Sequence, residues 1–183
     1  MSTLVEELLM ENKRLPTLFH ISFRGNLEKE WDPKLPDDID VIDNNKKGHP
    51  EPKDLYRICC APTIRQCFQA IYPNVNQFFE ENKYPYMEFF VYSPLLKGDE
   101  QILTHEDLTN QLIVHDAHIT YEYCILTKTF MKKVAKIKIM NTNTKGNDLY
   151  YYPFNNKNKQ ELYVPKNVKF SILETYDKSI KLI

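Results

Sequence analysis

Residues 57–71 have the sequence RICCAPTIRQCFQAI, and this stretch predicts how the chain is built. It opens within a short apolar strand, YRICCA at residues 56–61, and continues after a proline into a helix. Apolar side chains in the second part recur at intervals of three and four residues, which is the spacing of one helix face. They are Ile64, Cys67, Phe68 and Ile71. The stretch therefore predicts a strand, a turn and a helix in direct succession.

Alternating apolar segments on both sides of this unit predict further strands. In LFHISF, residues 18–23, the alternate side chains face opposite ways, so that His20 and Ser22 share one face with Leu18. Downstream strands are predicted at 86–92, 119–126, 134–140 and 147–154, with at least one more within 161–176. Thr104, followed three residues later by Asp107, predicts a capping box and a helix that runs to about Leu112.

The order of these elements predicts the fold class. Helices lie between strands in the first half, the second half consists mostly of strands, and regular alternation of strand and helix is absent. We therefore expect an α+β fold with a mixed or antiparallel sheet, either single or split, and a few short helices. The 183 residues are expected to form a single domain, with a helical appendage at residues 1–16, a core at 17–176 and a long loop at 24–54.

Composition excludes several functional classes. Lys and Arg number 24 against 25 for Asp and Glu, so the chain is not expected to bind nucleic acid by overall charge. The four glycines are scattered, which excludes a glycine-rich phosphate loop. No apolar run approaches the roughly 20 residues of a membrane span, and no signal segment is evident. We therefore expect a cytoplasmic protein that does not bind membranes.

The cysteines and histidines predict no metal site. No two of the four cysteines form a C-x-x-C pair, so all four are expected to be reduced core residues. His105, His115 and His118 follow no common zinc spacing.

Two residues stand out as candidates for chemistry. Glu122 lies in mid-strand in the predicted element 119–126, on a face shared with Thr120 and Cys124. Because an unpaired buried carboxylate is costly, Glu122 either faces solvent or lines a site. His20 is likewise either a hydrogen-bonded structural residue or part of a binding face. Arg24 and Arg57 stand near strand ends, where each is suited either to hold a phosphate or to form a surface salt bridge.

The motifs occur in an order that resembles a known family. LFHIS, WDPKLP, RICCAPTI and ITYEYC follow one another in the chain. Small bacteriophage proteins open with Y-H-I-S or Y-H-V-S, continue with L-x-P-R-x-P and R-I-C-x-A-P-S-I, and end with T-x-E-x-W. The resemblance spans roughly residues 17–140 and extends to the His–Tyr–Glu type of the ADP-ribosyltransferase superfamily. A middle Tyr is not evident in this chain, and Cys124 stands where the family has Trp.

This resemblance implies a binding cleft for NAD or a related adenine nucleotide. In the superfamily, a first-strand His and a late-strand Glu line one cleft. By this likeness His20 would hold the adenosine ribose and Glu122 would be the catalytic carboxylate. Thr63 or Tyr56 would contact the nicotinamide side. The remaining residues assigned to nucleotide binding are Ser22, Arg24 and Arg57.

Three functions remain open at this point. The first is transfer of ADP-ribose to a host protein, a nucleic acid or a small molecule. The second is sequestration, without turnover, of a nucleotide-derived immune signal in the host cytoplasm, which would be an anti-defence activity of a bacteriophage. The third is inhibition of a host protein through the loop at residues 24–54. The oligomeric state is open in all three.

Overall fold

The computed structural model describes residues 15–35, 55–71, 86–111, 113–114, 117–140, 149–150, 164–165 and 169–182. Helical residues form α1 (residues 64–71, up to the last described residue of that segment), α2 (His105–Asn110) and α3 (Ala117–Thr120). The strands are β1 (His20–Ser22), β2 (Lys29–Trp31), β3 (Ile58–Cys60), β4 (Tyr86–Pro94), β5 (Ile102–Leu103), β6 (Tyr123–Ile125), β7 (Thr129–Met140), β8 (Leu149–Tyr150), β9 (Val164–Pro165) and β10 (Lys169–Thr175). No helix among the described residues is long and apolar enough to cross a bilayer.

A five-stranded antiparallel sheet forms the centre of the fold. Its main order is β1-β4-β7-β10, and β2 pairs with the first residues of β7. The long strands β4 and β7 pair along their whole common length, from Tyr86 opposite Met140 to Pro94 opposite Met131. The other edge of β7 is shared by β2 near its start and by β10 near its end. The strand β7 thus pairs with three of the other four strands, and β1 joins the sheet through β4.

A β-bulge decides which side chains of β7 enter which core. The register shifts between Val91 and Tyr92 on β4, so that Val134 of β7 is the extra residue. Because of the extra residue, odd-numbered side chains of β7 before and after the bulge point to opposite faces of the sheet. Ile137 and Ile139 therefore pack with Val134 in a first core beside α1, whereas Met131 packs in a second core on the opposite side.

The second core joins the large sheet to a smaller sheet of order β3-β6-β5. Tyr92 and Met131 of the large sheet pack there with residues of the small sheet, which include Ile58, Cys60, Tyr123 and Ile125. The outer face of the small sheet, with Leu103 and Cys124, is covered by residues of α2 and α3 in a third core. The strand β3 therefore lies close to the start of β1, to which it is joined by an isolated bridge between Phe19 and Ala61.

The structure confirms the α+β class, and of the two arrangements that the sequence left open, a single or a split sheet, it shows the split one. The predicted capping box is also confirmed, because the Thr104 hydroxyl accepts from the Asp107 amide while the Asp107 carboxylate accepts from the Thr104 amide. The predicted helix that follows Pro62 is present, with Ile64, Cys67 and Phe68 buried.

Two sequence predictions are corrected. The strand predicted at 119–126 was wrong in its first half, because Ile119 and Thr120 end the helix α3 and the strand begins only at Tyr123. Ala117 packs in the third core, and this tertiary packing overrides the strand preference of the β-branched pair. The loop predicted at 24–54 contains the strand β2, which pairs with β7. Residues 36–54 of this loop and the helix predicted at residues 1–16, apart from its last two positions, lie outside the described residues.

Candidate functional site

A pocket of about 70 Å³ opens where β1, β3 and α1 meet the segment that enters β6. The elements come together because β3 pairs with β6 and is bridged to the start of β1. Its polar lining consists of His20, Cys59, Thr120 and Glu122, together with the thiols of Cys60 and Cys67. The remaining lining is apolar and comes from Ile21, Ala61, Ala70 and Ile71. An apolar wall with a few polar groups on one side is typical of a site for a small organic ligand.

His20 is fixed in one orientation and one protonation state. Its Nδ1 lies 2.8 Å from the carbonyl oxygen of Cys59 on β3. Because a carbonyl oxygen can only accept, Nδ1 carries the proton and Nε2 of the neutral ring is a hydrogen-bond acceptor. Burial lowers the pKa of His20, and the hydrogen bond to Cys59 only partly offsets that effect. The imidazole is therefore neutral at physiological pH.

The only tryptophan of the chain supports the His20 ring. Trp31 of β2 meets the imidazole edge-on, with ring centroids 4.9 Å apart. The Trp31 indole donates to the Leu27 carbonyl at 2.7 Å, and the Tyr92 hydroxyl donates to the Arg24 carbonyl at 2.7 Å. These bonds tie the segment after β1 to the large sheet. Sequence reasoning missed Trp31, although its being the single Trp of the chain was a usable signal.

Glu122 is positioned by an unusual turn. The helix α3 ends at Thr120, Tyr121 adopts a left-handed φ of 52°, and the chain then enters β6 at Tyr123. A left-handed conformation is costly for a bulky residue, by about 1–3 kcal/mol, and persists only where the surrounding packing imposes it. The turn sets the direction of Glu122 into the pocket, so the tertiary structure, and not a regular strand, places this carboxylate.

Glu122 lies among charged and polarisable groups. Its Oε1 is 3.9 Å from Nε of Arg57. The Glu122 side chain is 12% exposed and the Arg57 side chain is 3% exposed. The Cys124 thiol donates to the same oxygen at 3.6 Å. Sγ of Cys59 and Sγ of Cys124 both lie within 4.8 Å of a carboxylate oxygen of Glu122 and of each other. Glu122, which lines the pocket, is thus paired with Arg57 outside the lining, and two cysteine sulfur atoms lie close to its carboxylate.

The two sulfur atoms differ strongly in acidity. The hydrogen bond from Cys124 and the nearby charge of Arg57 lower the pKa of Cys59 to about 6, although burial acts in the opposite direction. Burial raises the pKa of Cys124 well above its ordinary value. Burial also raises the pKa of Cys67 to about 12, and Cys60 shifts the same way. Cys59 is therefore the acidic thiol of the pocket at neutral pH.

The other residues predicted for nucleotide binding lie apart from this pocket or play other roles. Arg57 does not project into solvent, because it is 5% exposed and pairs with Glu122. Tyr56 and Arg24 are exposed and do not line the pocket. Ser22 accepts from the Arg24 amide at 3.2 Å, and Thr63 caps α1 by accepting from the Gln66 amide at 3.2 Å. Of the predicted set, His20 and Glu122 are the pair that line this pocket together.

Among the described residues, His105 and His118, two of the histidines considered for metal binding, do not line this pocket. The His105 ring contacts Tyr121 and Tyr123, with centroids 4.8 and 5.5 Å away, and His115 lies outside the described residues. Among the described residues, the set whose donor atoms lie close enough for one ion is Cys59, Glu122 and Cys124.

Comparisons with protein-family models, with curated proteins and with solved structures find no match to this chain.

Proposed function

We propose that this protein binds NAD or a related adenine nucleotide, with the ribose hydroxyls held between His20 and Glu122. The observation that carries the proposal is that both side chains line one pocket, although they are 102 positions apart in the sequence. A neutral imidazole accepts from one hydroxyl through Nε2, and a carboxylate accepts from another. Vicinal hydroxyls that donate to two fixed acceptors are the defining polar feature of a ribose.

The size of the pocket limits how much of the ligand it holds. At about 70 Å³ it is smaller than the 300–1,000 Å³ typical of sites that enclose a whole drug-sized ligand. It has room for one ring of a nucleotide. The remainder of a dinucleotide would lie against the surface outside the pocket. Arg24 and Tyr56 are exposed, but they do not line the pocket.

The same pair supports a transfer reaction. Cleavage of the bond between nicotinamide and ribose builds positive charge on the sugar, as in glycoside hydrolysis. A carboxylate that holds the 2′-hydroxyl binds the sugar more strongly as this charge develops, and it thereby lowers the barrier. Glu122 would supply that carboxylate, and His20 would hold the sugar in place. Arg57 would keep the carboxylate oriented from behind.

A labelled-NAD assay tests the proposal. The purified protein is incubated with NAD labelled on the adenine portion and with cell lysate, and transferred label and released nicotinamide are both measured. Glu122→Gln is expected to reduce both by about 100-fold or more. Glu88→Gln is the matched control, because Glu88 lies on β4 in a surface pair with Lys136 and does not line the pocket. Equal activity in the wild type and the Glu122→Gln variant would contradict the catalytic assignment.

A second candidate function is binding without turnover. It is favoured by the contacts that Glu122 makes with Arg57 and Cys124, since a carboxylate held this way is already engaged. A thermal-shift screen of NAD, ADP-ribose and cyclic nucleotides distinguishes the two functions. A ligand at 100 times its dissociation constant stabilises by about 2.7 kcal/mol, or roughly 5–10 °C for a chain of this size. Recovery of that ligand intact identifies sequestration, and no shift with any nucleotide contradicts both functions.

A further inference from the structure

Cys59 and Cys124 lie in a geometry that allows them to form a disulfide. The two residues are direct partners in the antiparallel register of β3 and β6. Opposed residues of such a pair have Cα atoms about 4.5–5.5 Å apart, which falls inside the range of about 4.4–6.8 Å found across disulfides. Their sulfur atoms already lie within 4.8 Å, and both thiols are free. Closure therefore needs side-chain rotation and no movement of the strands.

The surroundings assign a different role to each sulfur. Cys59 is partly exposed and lines the pocket, so a small reagent can reach it. Its lowered pKa, about 6, makes it a thiolate at neutral pH, and a thiolate is the nucleophilic form of cysteine. Cys124 is fully buried and stays protonated, because burial raises its pKa. Cys59 is thus the thiol that attacks the oxidant. Cys124 is the resolving thiol, which then attacks the oxidised Cys59.

A bound divalent cation is a weaker explanation of the same cluster. Cys59, Cys124 and Glu122 could supply three ligands, as zinc often requires. The guanidinium of Arg57, however, already places a positive charge 3.9 Å from the carboxylate. That charge stabilises a thiolate and repels a metal ion, so the cluster fits a reactive thiol better than a cation site.

We propose that Cys59 and Cys124 form an oxidisable dithiol that reacts with hydroperoxides and closes to a disulfide across β3 and β6. In the first step the Cys59 thiolate attacks one oxygen of hydrogen peroxide. The O–O bond breaks, hydroxide leaves, and Cys59 becomes a sulfenic acid, oxidised by two electrons while the peroxide is reduced. In the second step Sγ of Cys124 attacks Sγ of Cys59. The S–O bond breaks, the S–S bond forms, and water leaves with the proton of Cys124.

The disulfide also changes the pocket. In the reduced protein the Cys124 thiol donates to Oε1 of Glu122 at 3.6 Å, and a disulfide has no proton to donate. Glu122 therefore loses one donor on oxidation. An effect of this loss on nucleotide binding rests on the proposed function, whereas the thiol chemistry does not.

Peptide mapping of the full chain tests the dithiol without any nucleotide. The reduced protein is treated with hydrogen peroxide, and the intact mass and linked peptides are measured. The wild type is expected to lose a pair of hydrogens and to yield a Cys59–Cys124 linked peptide that dithiothreitol reverses. Cys124→Ser is expected to stop at a sulfenic acid on Cys59, trapped by dimedone, and Cys59→Ser to yield neither product. Glu88→Gln is the control and should behave as the wild type, because Glu88 pairs with Lys136 and does not line the pocket.

A second measurement uses only the wild type and therefore tests the proposal even if the cysteine variants fail to fold. Alkylation of the wild type by iodoacetamide, followed over pH by peptide mass, should show Cys59 reacting fastest, with half-maximal rate near pH 6. A peroxide product that links other cysteines, or a Cys59 that reacts no faster than Cys60 and Cys67, would overturn the proposal. If the peptide map shows the Cys59–Cys124 link but the NAD assay fails, the proposed function is refuted and the dithiol proposal stands.

Discussion

The ion pair between Arg57 and the pocket-lining Glu122 should couple the two side chains strongly. Two unit charges 3.9 Å apart attract by about 4 kcal/mol at an effective dielectric constant of about 20. The desolvation cost of each charge cancels in a double-mutant cycle, and coupling energies of residues in contact are about 0.5–3 kcal/mol, below this Coulomb figure. We therefore expect a coupling free energy of about 2 kcal/mol in a double-mutant cycle.

The cycle uses Arg57→Met and Glu122→Gln. Arg57→Met should lower the free energy of unfolding by about 3 kcal/mol, because it leaves a buried carboxylate without its guanidinium. For a chain of this size that is a fall in Tm of roughly 6–12 °C. In the double variant the carboxylate is absent, so the loss should be about 2 kcal/mol smaller than the sum of the single losses. The hydrogen bond from Nη1 of Arg57 to the Leu55 carbonyl is lost both in Arg57→Met and in the double variant, so its contribution cancels in the coupling free energy.

Urea unfolding at pH 7 gives the four free energies. A control cycle uses Lys136→Met and Glu88→Gln, whose charged atoms are closer, at 2.7 Å, but lie on the exposed face of the large sheet. Its coupling should be smaller, because water and salt screen exposed charges. Additivity within about 0.5 kcal/mol in the Arg57–Glu122 cycle would refute the view that burial makes this pair strong.

Two further predictions concern His20 and the capping box. Because burial lowers the pKa of His20 below its ordinary 6.5, the unfolded chain binds the proton more tightly, and stability should fall as the pH drops below 6.5. His20→Gln should flatten this part of the urea-derived stability curve, and parallel curves for the two proteins would contradict the assignment. Thr104→Ala should cost about 1 kcal/mol in urea unfolding, because it removes the side chain that caps α2. The comparison variant Thr109→Ala loses a bond to the His105 carbonyl within the helix, so it should cost less, and an equal cost would argue against the cap.

The local elements of the fold could be predicted from sequence where a pattern was strong. The helix after Pro62 follows from the spacing of Ile64, Cys67 and Phe68, and α2 follows from the pairing of Thr104 with Asp107. Both signals act within a few residues. The strand predicted at 119–126 failed in its first half because Ile119 has a high strand preference but lies buried in the short helix α3.

The candidate site could be predicted only in part. His20 and Glu122 were singled out as polar residues within apolar strand patterns, and Trp31, Cys59 and Cys124 gained their roles only from neighbours distant in sequence. Cys59 and Cys124 become partners because β3 pairs with β6 in one register, and a shift by one residue would have separated them.

The sequence by itself determined the α+β class, the positions of the capped helices and the two polar residues, His20 and Glu122, that interrupt apolar sequence patterns. These follow from periodicity and capping, which depend on neighbouring residues alone. Only the tertiary structure decided that an imidazole and a carboxylate line one pocket, and that Arg57 is buried beside Glu122. The physical reason is that strand pairing, the bulge at Val134 and the left-handed turn at Tyr121 depend on contacts between segments far apart in the chain.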